Sequence, residues 1–78
     1  MKGRILLVDD EEIVLRSCQR ILGGEYDLDV ARDGLEALAK VNETDYDVLV
    51  LDIKMPKMDG IEVLRRVKEA RPDIDIIM

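Results

Sequence analysis

Ile5-Leu6-Leu7-Val8-Asp9-Asp10 is a short aliphatic run that stops abruptly on two acids. An unbroken run of this length reads as a strand buried on both faces, as in a parallel sheet; half-exposed strands alternate instead. The same signature returns at Val48-Leu49-Val50-Leu51, which ends on Asp52, and more weakly at Leu28-Asp29-Val30-Ala31. A fourth strand is expected from Ile74 to Met78. The segments between these runs change period. Ile13, Val14, Cys18, Ile21 and Leu22 recur at helical spacing, and Gly23-Gly24 ends that helix. Asp33 is placed to cap a second helix with Leu35, Leu38, Ala39 and Val41 on its apolar face. Asp59 is placed to cap a third, carrying Ile61, Leu64 and Val67, with Pro72 beyond its end.

The order is therefore β-α-β-α-β-α-β. Such alternation implies parallel strands, right-handed crossovers and an open α/β sheet within one small domain, residues 1–78. Ligands of these sheets bind at the carboxyl ends of the strands. Asp9, Asp10 and Asp52 all fall there. If the first and third strands are neighbours, these three carboxylates converge. Two unit charges about 5 Å apart repel by about 3 kcal/mol at an effective dielectric of about 20. A proton or a cation must relieve the cluster. Hard oxygen ligands in a compact, partly hydrated site suit Mg2+ or Mn2+. Asp52, alone at a strand end with a loop beyond it, is the better nucleophile, because a carboxylate can carry a phosphoryl group covalently. The competing use of these acids is local: Asp10-Glu11-Glu12 would complement the amino end of the first helix.

Composition narrows the classes further. The formal net charge is -6, from 18 acidic and 12 basic residues, and the basic ones are scattered. That disfavours a nucleic-acid surface. Cys18 is the only cysteine, so neither an internal disulfide nor a Cys-based zinc site can form. No apolar run approaches the roughly 20 residues that span a bilayer. A cytoplasmic location is expected.

Four blocks in order resemble the response regulator receiver family: Ile5-Leu6-Leu7-Val8-Asp9-Asp10-Glu11; Ala31-Arg32-Asp33-Gly34-Leu35-Glu36-Ala37-Leu38; Leu49-Val50-Leu51-Asp52-Ile53-Lys54-Met55-Pro56; and Met58-Asp59-Gly60-Ile61-Glu62-Val63-Leu64. The resemblance implies a flavodoxin-like doubly wound sheet of strand order 2-1-3-4-5. It implies that Asp52 accepts a phosphoryl group from a histidine kinase or phosphotransfer protein. Mg2+ would be held by Asp9, Asp10, Asp52 and the backbone carbonyl of Lys54, with Asp10 a direct ligand. It also implies no enzyme in the usual sense, only weak self-phosphorylation and self-dephosphorylation by the complete domain. The kinase-docking surface would include Ile13, Val14 and Arg16.

By this resemblance the chain carries strands one to four and helices one to three. The family's switch Ser/Thr, its phosphoryl-contacting Lys and its strand-five aromatic are not in the sequence. Two expectations follow: a homo-oligomer joined through the exposed fourth strand and uncovered sheet faces, and, as the rival function, an oligomerising half-domain that is not phosphorylated. Two other rivals are disfavoured. A metal-dependent phosphatase of another α/β class would separate its two strand-one acids by one residue. A flavin or nucleotide binder would need a phosphate loop where Asp9-Asp10-Glu11-Glu12 repels phosphate.

Overall fold

The computed structural model describes residues 3–51 and 60–77. Their order is β1 (Arg4–Val8), α1 (Glu12–Leu22), β2 (Asp27–Ala31), α2 (Gly34–Glu43), β3 (Val48–Leu51), α3 (Gly60–Ala70) and β4 (Asp75–Ile77). The strands form one parallel sheet in the order β2-β1-β3-β4. This is the flavodoxin-like arrangement expected from the sequence. The chain moves one way from β1 to β2 and the other way from β2 to β3 and β4. Right-handed crossovers then put α1 on one face and α2 and α3 on the other.

The larger core lies under α2 and α3. Leu6 and Val8 of β1, Leu49 and Leu51 of β3, Ala37 and Val41 of α2, and Val63 and Val67 of α3 are fully or almost fully buried in one cluster. Side-chain alternation sends Ile5 and Leu7 to the opposite face, and both are buried there along with Leu15 of α1.

The helices are turned only partly as the sequence suggests. Ile13 is 79% exposed and Leu35 71% exposed, and Ile21, Ala39 and Ile61 are exposed as well. Cys18, expected in the core, is half-buried. The inward positions are Leu15, Cys18 and Leu22 in α1, Gly34, Ala37 and Val41 in α2, and Gly60, Val63 and Val67 in α3; of these Cys18, Leu22, Val41 and Val67 were expected, and Leu38 and Leu64, expected as well, pack partly buried against the core. Each set is an i, i+3, i+7 stripe. In α2 and α3 it holds the smaller residues, which let a helix sit close to the sheet.

Helix ends follow the sequence where they are described. Asp33 Oδ1 accepts from the Glu36 N–H at 2.8 Å, and Glu36 Oε2 accepts in return from the Arg32 N–H at 3.0 Å. This is a capping box displaced by one residue. Gly23 closes α1 by donating to the Gln19 carbonyl at 2.9 Å; a Cβ there would lie 2.5 Å from that oxygen. The carboxyl end of α2 is satisfied by Arg71, whose Nε donates to the Val41 carbonyl at 3.0 Å while Nη1 pairs with Asp45 at 2.7 Å. The expected Asp59 cap lies outside the described residues.

Tyr46, only 7% exposed, joins the core, and its hydroxyl donates to Asp29 Oδ2 at 2.6 Å. Burial first, and the Asp29 carboxylate second, push the phenol up to about 12. An unfolded chain releases that proton near pH 10 or so. The contribution is therefore present below pH of about 10 and is lost as pH rises through about 12. Tyr46→Phe is expected to cost about 1 kcal/mol at neutral pH. It should also flatten the loss of stability between these two pH values in urea titrations, and parallel curves for the two proteins would count against the assignment.

Candidate functional site

The strand order reverses between β1 and β3, and the crevice at their carboxyl ends is where a sheet of this kind takes a ligand. β1 delivers Asp9 there. Its N–H donates to the Ala31 carbonyl at 3.1 Å, which carries the ladder one residue past β1. Its side chain is 7% exposed, and Oδ1 accepts from the Glu11 N–H at 2.9 Å. One of the two sequence readings of these acids, local capping, is thus partly realised: Asp9 closes the turn into α1. Glu11, at the N-cap, makes no side-chain capping bond.

Asp10 and Glu11 are exposed beside Asp9, and one carboxylate oxygen from each of the three lies within 4.8 Å of the others. Glu11 is a member of the cluster that sequence reasoning assigned to the helix amino end. Its signal was only its adjacency to Asp9-Asp10. Oxygens sharing one Mg2+ at 2.0–2.1 Å stand about 3–4 Å apart. Three carboxylate oxygens at this spacing therefore fit a small divalent cation after slight closure or with an intervening water.

The other sequence-predicted site residues, Asp52 and Lys54, lie outside the described residues, as do Met55, Pro56, Met58 and Asp59. The ladder leads up to them: Val8 pairs with Leu51, the last described residue of β3.

The border of the acidic cluster is organised by Glu12, the first residue of α1. Arg32 donates from Nε to Glu12 Oε2 at 3.2 Å and from Nη2 to Oε1 and Oε2 at 3.3 and 3.0 Å. Arg16 approaches from the next turn at 3.4 Å. The hydrogen bonds from Arg32, ahead of those from Arg16, hold the Glu12 carboxyl below the usual range. Glu12 is thereby committed to Arg32, unlike the three acids before it.

A separate open cleft of 570 Å3 lies between Asp45, Asp47, Arg71, Asp73 and Asp75, at the amino ends of β3 and β4. It is at the far end of the strands from Asp9. Among the described residues, no helix is long and apolar enough to cross a membrane.

The model of the response regulator receiver domain matches residues 5–78. The chain belongs to the response regulator receiver family. It is 50% identical over 68 residues to the transcriptional regulatory protein TrcR of Mycobacterium tuberculosis, a match covering 86% of this chain and 26% of that protein. It is 41% identical over 76 residues to the response regulator MprA of Mycobacterium avium, covering 96% and 33%. The receiver chain thus spans about a quarter to a third of the length of these curated relatives. Its fold is that of a CheY-like receiver domain from Methanospirillum hungatei, with a TM-score of 0.95 at 37% identity over 100% of this chain and 63% of the other. Response regulator TrrA of Thermotoga maritima, solved in complex with Mg(2+)-BeF, gives 0.90 at 40% identity over 100% and 68%. The same protein solved with the histidine kinase ThkA gives 0.87 at 40% identity over 97% and 66%. As a receiver domain the chain belongs to two-component signalling.

Asp9, Asp10 and Glu11 carry like charge, and among the described residues none of them pairs with a base. Removing one charge without a cation present should relieve repulsion. Asp10→Asn is expected to raise the melting temperature in EDTA at low salt by about 3 °C, with the gain shrinking as salt is added. Identical melting curves for the two proteins would mean that the acids do not repel.

Proposed function

We propose that this receiver segment accepts a phosphoryl group on Asp52 from a histidine kinase or phosphotransfer protein, with Mg2+ held by Asp9, Asp10, Asp52 and the Lys54 backbone carbonyl. The observation that carries this is the convergence of Asp9, Asp10 and Glu11 at the carboxyl end of β1, beside the strand that Asp52 follows. Because Val8 pairs with Leu51, Asp9 and Asp52 each come directly after paired residues on adjacent strands, which run about 4.8 Å apart. The likeness to TrrA, solved with Mg(2+)-BeF and with a histidine kinase, supports the same reading.

In this reading a carboxylate oxygen of Asp52 attacks the phosphorus of a phosphohistidine. A P–O bond forms as the P–N bond breaks, the bonding pair returns to the imidazole nitrogen, and a proton from solvent settles there. The bound cation supplies positive charge against the phosphoryl oxygens. Asp9 contributes a carboxylate whose orientation is set by the Glu11 amide. Asp10 and Glu11, being exposed, supply oxygens that can move to a ligand. The exposed Ile13 and Arg16 of α1 offer an apolar and a basic contact for the kinase. The role is that of a phosphoryl acceptor in the cytoplasm, with no nucleic acid contacted by this segment.

Incubation with Mg2+ and acetyl phosphate is expected to add one phosphoryl mass to the chain, and Asp52→Asn should abolish it. An unlabelled wild-type chain, or a labelled Asp52→Asn, would remove Asp52 from this role.

Self-association is the second part of the proposal. Among the described residues β4 pairs with β3 alone, and Ile77 is 57% exposed on it. A strand edge of this kind accepts another strand. Sedimentation velocity at low micromolar concentration should show a species heavier than the monomer, and a single monomer boundary would exclude it.

A further inference from the structure

We propose that Arg32 is a positioning residue for the acidic cluster: it ties the first turn of α1 to the carboxyl end of β2 and so keeps Asp9, Asp10 and Glu11 gathered for a divalent cation. The inference rests on the cation-binding reading of those acids given above.

Asp9, Asp10 and Glu11 bridge β1 and α1, and their carboxylate oxygens are close enough to repel. Without restraint such a loop lowers its energy by letting the exposed acids splay. Two contacts to adjacent residues of the β2 end oppose this. Before the acids, the Asp9 N–H donates to the Ala31 carbonyl at 3.1 Å. After them, Glu12 is held by both Nε and Nη2 of Arg32 at 3.0–3.3 Å. The loop is thus bracketed by consecutive residues, one backbone contact and one side-chain contact. Arg32 is itself fixed, because its N–H donates to Glu36 Oε2, and Glu36 belongs to the capping box of α2. A continuous hydrogen-bonded path runs from the first turn of α2 through Arg32 and Glu12 to the start of α1.

The charge of Arg32 works against this role. A guanidinium near the cluster repels a second cation. Its tether favours cation binding, whereas its bare charge disfavours it, so the two effects have opposite signs and can be separated.

The test measures Mg2+ affinity by isothermal titration calorimetry on the chain and on Glu12→Gln/Arg32→Gln, with melting temperatures recorded in EDTA. The double variant removes one acid and one base, so the net charge is unchanged, while the paired fork is lost. A tether predicts Mg2+ binding weakened about threefold, the scale of an exposed ion pair with good geometry. Affinity equal to or tighter than wild type overturns the proposal, even if the melting temperature falls, because a merely structural pair would lower stability alone. Should the double variant be unfolded at the working temperature, Arg32→Lys reads the same quantity. It keeps the charge and gives up the planar fork, so a tether predicts weakening and a bare charge predicts none. A wild-type chain that binds no Mg2+ defeats the cation reading and this inference together; wild-type binding with unweakened variants defeats the inference only.

Discussion

Everything functional in this chain depends on the parallel pairing of β1 with β3. The residues between these strands in sequence form β2 and two helices, yet the ladder sets Val8 against Leu51. Pairing of this kind is slow to find and costly in chain entropy. Burial of Leu6, Val8, Leu49 and Leu51 under α2 and α3 is what makes it favourable. The same four side chains determine where the strands end, and the strand ends determine where the acids stand. Core and site are therefore one arrangement: the side chains inside the sheet fix the register, and the register fixes where β1 ends and Asp9, Asp10 and Glu11 begin.

The elements were legible because their signals are local and redundant. Ile5-Leu6-Leu7-Val8 and Val48-Leu49-Val50-Leu51 could be read as buried parallel strands from their unbroken aliphatic runs, and Asp33 as a cap from its place before Gly34. The orientation of the helices was legible only in part: Val41 and Val67 are buried and Leu38 and Leu64 pack against the core, as expected. Ile13, Leu35 and Ile61 are large aliphatics at helical spacing, and sequence alone favours turning them inward too. The structure buries Gly34, Ala37, Gly60 and Val63 instead. Distance between layers decides this, and distance is a property of the packed whole. At the site, Asp9 and Asp10 were legible from their place after β1. Glu11 was not separable from Glu12, because both follow the same strand; only the tertiary contact of Glu12 with Arg32 distinguishes them.

The acids after β1 and Glu62 of α3 are managed differently. Glu62 meets Arg65 at 2.7 Å and Arg66 at 2.9 Å, and both hold its carboxyl below the usual range. Such exposed pairs contribute little to stability, but they leave little charge uncompensated. Asp9, Asp10 and Glu11 have no basic partner among the described residues. These three stand together without a base, and this concentrates negative potential at the carboxyl end of β1.

The small stripe of α2 and α3 has a mechanical consequence. Gly34, Ala37, Gly60 and Val63 have almost no rotamers to exchange, so the line of closest approach to the sheet is stiff, with Leu38 and Leu64 packed beside it. Arg71 joins the far end of α3 to the last carbonyls of α2, so the two rods share a pivot. Displacing either helix there strains the bonds that Arg71 makes to the other.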